Sequence, residues 1–263
     1  MDLILVASGA VTGLLVGLTG VGGGALMTPL LLLVCGIAPM TAVGTDLWFA
    51  AVTKVFASRV HHGHRLIDWQ VTRRLWLGSL PAAALTLVWM KLHLAEEMAA
   101  TSLKTMIAAA VMLTALGMLF QKPLHALGRK LRTTDSEQFK AMQAPLTVLA
   151  GAMLGVLVTF TSVGAGALGA VFLTYLYPLR LIPPRLIATD IAHAIPLAVI
   201  AGIGHLLIGN VDFGLLVNLL LGSIPAAIAG AMLSAHLPHR LLRGVLSIVL
   251  LSIGIKLWGT VSI

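Results

Sequence analysis

The chain has 263 residues, of which 59% are hydrophobic and only 10% are charged, far below the roughly 25% charged residues of soluble domains. Its mean hydropathy of +1.02 and its single cysteine exclude an ordinary water-soluble enzyme, a disordered chain and a disulfide scaffold. The net charge of +8 comes from short basic clusters between apolar runs, as in topology determinants. We therefore predict an all-α polytopic membrane protein without a nucleic-acid partner.

Eight apolar stretches follow one another along the chain. Six have a length suited to one helical crossing, which needs about 20 residues. The stretches 3–34 and 145–177 are too long for one straight span, and each is interrupted by a glycine-rich break, at Gly20–Gly24 and Ser162–Gly166. We predict a broken helical hairpin at each. The six single spans are 40–57, 74–90, 99–120, 186–205, 212–234 and 241–258.

The two halves of the chain are repeats. Paired acids recur at a nearly constant offset, and so do the glycine-rich break and a Gly-Ser-x-Pro motif. We predict a first transmembrane repeat over 1–120, a basic cytoplasmic linker over 121–144 and a second repeat over 145–263. The matching segments are Val21–Leu26 with Val163–Leu168, Thr45-Asp46 with Thr189-Asp190, Asp68 with Asp212, and Gly78–Ala83 with Gly222–Ala227.

The distribution of basic residues favours inverted repeats over parallel ones. If each long segment is a hairpin, each repeat has an odd number of crossings and the halves are inverted. All basic residues except Lys91, Lys104 and Lys256 then fall on the cytoplasmic side, where Lys and Arg accumulate. A parallel arrangement leaves more of them outside. We predict two inverted repeats, each a broken glycine-rich hairpin plus three transmembrane helices.

The glycine-rich breaks are candidate anion sites. A helix that restarts inside the membrane presents unpaired N–H groups and a positive dipole end, which attract an anion. Close helix packing is the alternative role of such glycines. We predict that the anion accepts hydrogen bonds from backbone N–H groups of the two breaks and from the hydroxyl groups beside them. The candidate residues are Thr19, Gly22, Gly23, Gly24, Thr161, Ser162, Gly164, Ala165 and Gly166.

Asp46 and Asp190 lie inside apolar spans, where an ionised carboxylate is expensive and marks function by default. A repeated acid is suited to carry a proton. The alternative is that each acid caps a helix N-terminus, since Thr-Asp is a good capping pair. His193 is one helical turn from Asp190, so it is either a proton relay or a structural partner of that acid. We find no convincing metal-ligand spacing.

The segment Gly17–Leu30, followed by Ala42–Thr45, resembles the TauE/SafE family, also called the toluene sulfonate uptake permeases. Thr161–Gly169 and Ala188–Ala194 repeat the pattern in the second half. The resemblance implies a transporter of small sulfur-containing or organic anions such as sulfite, sulfonates or sulfoacetate, with proton coupling. It also implies that the motif residues Thr45 and Thr189 belong to the substrate site. Many members have Ser after this Thr, whereas this chain has Asp.

The sequence therefore predicts a secondary transporter in the cytoplasmic membrane, with a small anion and the lipid bilayer as its partners. We expect no enzymatic activity and no cofactor. We expect Asp46, Asp190 and His193 to bind and release the coupled protons. Two alternatives remain open. One is a cation- or metal-linked carrier with the two acids as ligands, and the other is an accessory membrane protein without a transport cycle.

Overall fold

The computed structural model describes residues 2–19, 24–60, 66–93, 100–134, 136–164, 166–233 and 239–260. Within these ranges the chain forms eleven α-helices and no strand. The helices are α1 (Leu3–Thr19), α2 (Gly24–Leu33), α3 (Pro39–Val60), α4 (Trp69–His93), α5 (Ala100–Leu119), α6 (Gln121–Thr134), α7 (Ser136–Thr161), α8 (Ala167–Leu176), α9 (Pro183–Ile208), α10 (Phe213–Leu233) and α11 (His239–Gly259).

Five of these helices, α4, α5, α7, α9 and α10, are long and apolar enough to cross a membrane. Large apolar side chains cover their outer surfaces; Leu77 and Leu85 on α4, for example, are 69% and 71% exposed. A water-soluble protein does not expose apolar surface on this scale, whereas lipid favours it. The predicted all-α polytopic membrane fold is confirmed.

Both long apolar segments are interrupted as predicted. Helix α1 ends at Thr19 and α2 begins at Gly24, while α7 ends at Thr161 and α8 begins at Ala167. The second piece is short in both halves, because α2 and α8 have 10 residues each. The candidate residues Gly22, Gly23 and Ala165 lie outside the described residues.

The polar segment 121–144 is largely helical. Helix α6 occupies its first part, and α7 already begins at Ser136, ahead of the apolar run that starts at 145. The apolar run therefore underestimates the length of α7 at its N-terminal end. Residues Glu137, Gln138, Lys140 and Ala141 are good helix formers, so the helix extends beyond the apolar part.

The helices of the two halves pack reciprocally. Helix α1 packs chiefly on α10, and α7 packs on α4; these are the corresponding helices with the halves exchanged. Likewise α3 packs on α10 and α9 on α4, while α3 meets α9 and α5 meets α11. This exchange is the contact pattern of two repeats around a pseudo-two-fold axis. Their inverted direction in the membrane stays a prediction.

Glycines permit the closest of these helix contacts. A Cβ atom on Gly78 of α4 would collide with the Val148 carbonyl of α7, and one on Gly222 of α10 would collide with the Val6 carbonyl of α1. These contacts are equivalent in the two repeats. Small residues that let backbones approach are the usual means of helix association in membranes, so the two Gly-Ser-x-Pro motifs serve packing.

Candidate functional site

The two repeated acids lie at equivalent positions inside α3 and α9. Each stands about two turns after the first residue of its helix, Pro39 for Asp46 and Pro183 for Asp190. They are 0% and 2% exposed. Neither is at a helix N-cap, and the N-cap of α9 is Ile182. The capping alternative for these acids is therefore wrong, because both helices begin earlier than the Thr-Asp pair suggests.

Capping is instead performed by the other pair of repeated acids. Asp68 Oδ1 accepts a hydrogen bond from the backbone N–H of Val71 over 3.3 Å. Asp212 Oδ1 accepts one from Leu215 over 2.9 Å. Each of these acids directly precedes the first residue of α4 or α10, which is the N-cap position.

Asp46 joins the two halves of the chain. Its Oδ2 accepts a hydrogen bond of 2.5 Å from the hydroxyl of Thr28, which lies in the short helix α2. The side chain of Ser162, at the break of the second repeat, lies within interaction range of the same carboxyl. An acid of the first repeat is thus placed beside the break of the second.

Asp190 lies against the first turn of α8. A Cβ atom on Gly169 would collide with Asp190 Oδ1, so the glycine provides the space for the carboxylate. The N-terminal turn of a helix carries partial positive charge and favours an anion. Helix α8 has no side-chain cap at Gly166. The carboxylate therefore occupies a position at which an external anion would also be stabilised.

Lys54 supplies a positive charge to this region. It is 2% exposed and interacts electrostatically with Asp190 and with Asp46. It lies on α3, two turns after Asp46, and helix side chains tilt toward the N-terminus. Its long side chain is therefore directed back toward the level of the acids. The equivalent residue of the second repeat is the buried Ala198.

His193 also belongs to this region, but its ring does not form the predicted pair with Asp190. Its Nε2 is 3.0 Å from Ser79 Oγ of α4. The ring is fully buried and within electrostatic range of Lys54. We call Asp46, Lys54, Ser162, Asp190 and His193 the central polar cluster.

Several polar atoms of the central polar cluster are buried without a hydrogen-bond partner among the described residues: Asp46 Oδ1, Ser162 Oγ, Asp190 Oδ1 and His193 Nδ1. Buried polar atoms are nearly always paired in folded proteins. Carboxylate oxygens accept hydrogen bonds, and a serine hydroxyl both donates and accepts. The group is therefore suited to a proton, a polar ligand or both.

The break of the second repeat is held in an unusual backbone conformation. Ser162 has φ of 57°, and Gly164 and Gly166 have φ of 113° and 140°. A non-glycine residue rarely adopts positive φ, and such strain concentrates at functional sites. This backbone directs the chain from the end of α7 into α8 and brings Ser162 toward Asp46.

The other candidate hydroxyls bond within the protein. Thr19 and Thr161 donate to the carbonyls of Leu15 and Leu157 over 2.6 and 2.7 Å. The oxygens of Thr45 and Thr189 accept the backbone N–H groups of Asp212 and Asp68 over 3.1 and 3.0 Å. These last two bonds are equivalent and cross between the repeats. The substrate role of these threonines stays a prediction.

Sequence reasoning missed Lys54, Thr28 and Ser79. Lys54 carried a usable signal, since a lysine within the apolar stretch 40–57 is a candidate functional residue by its position. Thr28 and Ser79 carried none, because single hydroxyl residues are common in membrane helices. Their role follows only from contacts between helices. Within the described residues, no three His, Cys, Asp or Glu side chains cluster as metal ligands would.

Comparison with known proteins shows the family of the chain. The family model "Sulfite exporter TauE/SafE" matches residues 5–257. The chain is 36% identical over 259 residues to the "Probable membrane transporter protein YjnA" of Bacillus subtilis (strain 168), covering 98% of this chain and 100% of that protein.

A second relative from the same organism, "Probable membrane transporter protein YdhB", is 28% identical over 232 residues, covering 88% of this chain and 89% of its own. No solved structure matches the chain. The family match spans nearly the whole sequence, including both glycine-rich breaks and both buried acids. The chain therefore belongs to the sulfite exporter TauE/SafE family of membrane transporters.

Proposed function

We propose that the protein is a secondary transporter that moves a small sulfur-containing or organic anion, of the sulfite or sulfonate type, across the cytoplasmic membrane together with protons. The observation that carries the proposal is the central polar cluster. Its buried acids lie beside the N-terminal part of a broken helix and the break itself. One oxygen of each acid and one ring nitrogen of His193 have no hydrogen-bond partner among the described residues.

Charge balance links the anion to the proton. Asp46, Asp190 and Lys54 together carry one net negative charge when all are ionised. An added anion would raise this charge in a region where unbalanced charge is expensive. Protonation of one carboxylate compensates for the anion. By linkage, a proton and an anion that favour each other's binding do so to the same extent.

Asp190 is the better candidate for the proton that accompanies the anion. Its carboxylate lies against the first turn of α8 at Gly169, where the helix dipole also favours an external anion. An ionised Asp190 would repel that anion, and a neutral one would not. Lys54, which interacts with both acids, compensates for whichever negative charge is present.

Transport also requires access to the cluster from each side in turn. The side chains of Asp46, Lys54, Asp190 and His193 are all at most 2% exposed, so the structure corresponds to a closed site. Short helices interrupted in mid-membrane, and an interface between pseudo-symmetric repeats, are the usual elements of alternating access. We expect the α3–α9 contact to lie at the centre of that movement.

A cation-linked carrier fits the site less well. Lys54 already provides a cation within range of both acids, and a second cation would be repelled by its ammonium group. The hydrogen bond from Thr28 to Asp46 Oδ2 also occupies one of the oxygens that a metal would need. The acids are therefore better suited to protons.

The proposal is tested by flux into proteoliposomes. Purified protein would be reconstituted, and uptake of sulfite, sulfoacetate, isethionate, taurine and sulfate measured with and without an imposed pH gradient. We expect saturable uptake of at least one of the sulfur oxyanions, increased by the gradient. Saturable anion uptake indifferent to pH would refute the coupling. Uptake that follows an added metal cation would favour the alternative carrier, and no uptake by folded protein would favour an accessory role.

A further inference from the structure

A basic pocket away from the central polar cluster has no part in the proposed transport step. It has a volume of about 420 Å³ and is formed where the first turns of α4 and α7, the end of α6 and the loop after α8 meet. This volume lies within the roughly 300–1,000 Å³ of small-molecule sites. Four cationic side chains line it: Arg74, Arg132, Lys140 and Arg180. None of the described lining residues is acidic, but two of the cations are paired with acids beside the pocket, Arg180 with Asp68 over 2.6 Å and Lys140 with Glu137 over 3.1 Å.

Hydrogen bonds hold the inner wall of the pocket in place. Tyr177 is 1% exposed; its hydroxyl accepts a hydrogen bond from Arg74 Nη1 over 3.1 Å and is 2.7 Å from Thr147 Oγ1. Arg180 donates from Nε and Nη2 to the two carboxylate oxygens of Asp68 over 2.6 and 2.8 Å. Two guanidinium groups are thus positioned before any ligand binds, which lowers the entropic cost of binding.

The pocket lies at the first turns of α4 and α7, which are the ends of two candidate membrane spans and are expected near the membrane surface. The exposed Trp69, at the first residue of α4, precedes the pocket residue Gln70, and tryptophans of this kind mark the headgroup region. Pro178 and Leu179 form an apolar edge, and Leu179 is 58% exposed. Pro178 also borders a second, mainly apolar cavity of about 1030 Å³. A cationic pocket thus adjoins space for hydrocarbon.

We propose that this basic pocket binds the phosphate group of an anionic phospholipid, with the glycerol and acyl chains leaving along Pro178 and Leu179. Guanidinium groups match phosphate oxygens in pairs, and basic pockets between transmembrane helices recognise anionic headgroups. A free phosphate would use the same cations but would gain nothing from the apolar edge. The combination therefore favours the lipid as the source of the phosphate.

We expect this site in only one of the two repeats, because the matching region of the other repeat differs. In the second repeat the residue equivalent to Asp68 is Asp212, which has no cationic side chain within ion-pair distance among the described residues. The short loop between α2 and α3, residues 34–38, contains no basic residue, whereas the loop after α8 contributes Arg180. The site is therefore expected once per chain and on one face.

Native mass spectrometry of the full chain in detergent tests the proposal. The ligands are dioleoylphosphatidylglycerol, dioleoylphosphatidylcholine, glycerol 3-phosphate and inorganic phosphate. The pocket variant is R74Q/R132Q, with K140Q at the exposed rim as a milder change. The matched control is R129Q/K130Q, which removes the same charge from exposed positions of α6 outside the pocket. Unliganded thermal unfolding checks that each variant is folded.

We expect the wild type to retain phosphatidylglycerol in preference to phosphatidylcholine and to bind the two soluble phosphates weakly. R74Q/R132Q should weaken phosphatidylglycerol binding by about thirty-fold and K140Q by about five-fold, with a change under about three-fold in the control. Equal losses in the pocket variant and the control would overturn the site. Soluble phosphates that bind as well as the lipid would overturn the lipid source. Anion flux into proteoliposomes without anionic lipid is independent of both outcomes.

Discussion

The hydroxyl of Thr28 donates a hydrogen bond of 2.5 Å to Asp46 Oδ2, so a short broken helix holds the acid of its own repeat. The second repeat has no such bond, since Ala170 stands at the position equivalent to Thr28. Asp190 interacts electrostatically with Lys54 instead. The two acids are therefore equivalent in position and different in surroundings. This difference leads to distinct expectations for the two sites.

We expect Asp190→Asn to abolish the response of anion flux to a pH gradient and to leave anion binding in place. Asparagine keeps the size of aspartate but does not titrate in this range. Asp46→Asn should have a smaller effect, because Thr28 already stabilises one of its oxygens. Proteoliposome flux with imposed gradients measures both. Asp212→Asn, at an exposed helix cap, is the control and should behave as wild type. A D46N/D190N protein with full pH-driven flux would contradict proton carriage.

Lys54→Met should lower the free energy of unfolding by about 3–5 kcal/mol, because it leaves buried acids without their countercharge. The double change Lys54→Met/Asp190→Asn should recover much of this loss, since it removes a negative charge as well. Thermal unfolding in detergent at one fixed pH measures both proteins. A double-mutant cycle with additive losses would show that Lys54 and Asp190 do not interact.

Gly169→Ala should impair coupling without removing any titratable group. The added methyl would collide with Asp190 Oδ1 and displace the carboxylate from the first turn of α8. We expect a reduced response to pH and an overpacking cost of about 1–3 kcal/mol. Gly244→Ala, where a Cβ would meet nothing within 4 Å, is the matched control. Identical coupling in the two variants would place Asp190 away from the coupling step.

Asp68→Asn should destabilise the protein more than Asp212→Asn. Both acids cap equivalent helices, and asparagine preserves the cap. Only Asp68 also accepts a bidentate pair from Arg180, and hydrogen bonds to charged groups contribute about 1.5–3 kcal/mol. The difference in unfolding free energy between the two variants isolates this ion pair. Equal losses would assign it no net stabilisation.

The inverted arrangement predicts opposite exposure of two equivalent loops. Cysteines at Ile67 and Val211, introduced separately into a Cys35→Ser background, occupy matching positions before α4 and α10. We expect a membrane-impermeant maleimide to label the 211 site from outside intact cells and the 67 site only after permeabilisation. Labelling of both sites from the same face would establish parallel repeats.

Much of the fold followed from apolar length alone. A span of about 20 residues has one stable conformation in lipid, because every backbone N–H and C=O must be bonded within the segment. The membrane class and the two broken helices therefore follow from sequence, and the burial of the two acids follows from their position within apolar spans. The start of α7 did not, because helix propensity extends it into the polar segment before 145.

The partners of the acids were decided by tertiary structure. Thr28, Ser162 and Gly169 lie outside the helices of the two acids, and no spacing along the chain relates them to Asp46 or Asp190. Lys54 shares α3 with Asp46, but its interaction with Asp190 of the other repeat follows only from packing. The Thr-Asp pair suggested a helix cap, yet both helices begin two turns earlier and bury the acid in their interior. The sequence determined which charges enter the membrane. Only the packing of α3 against α9 and of the short helices beside them decided which groups compensate for those charges, because low-dielectric surroundings make that pairing obligatory.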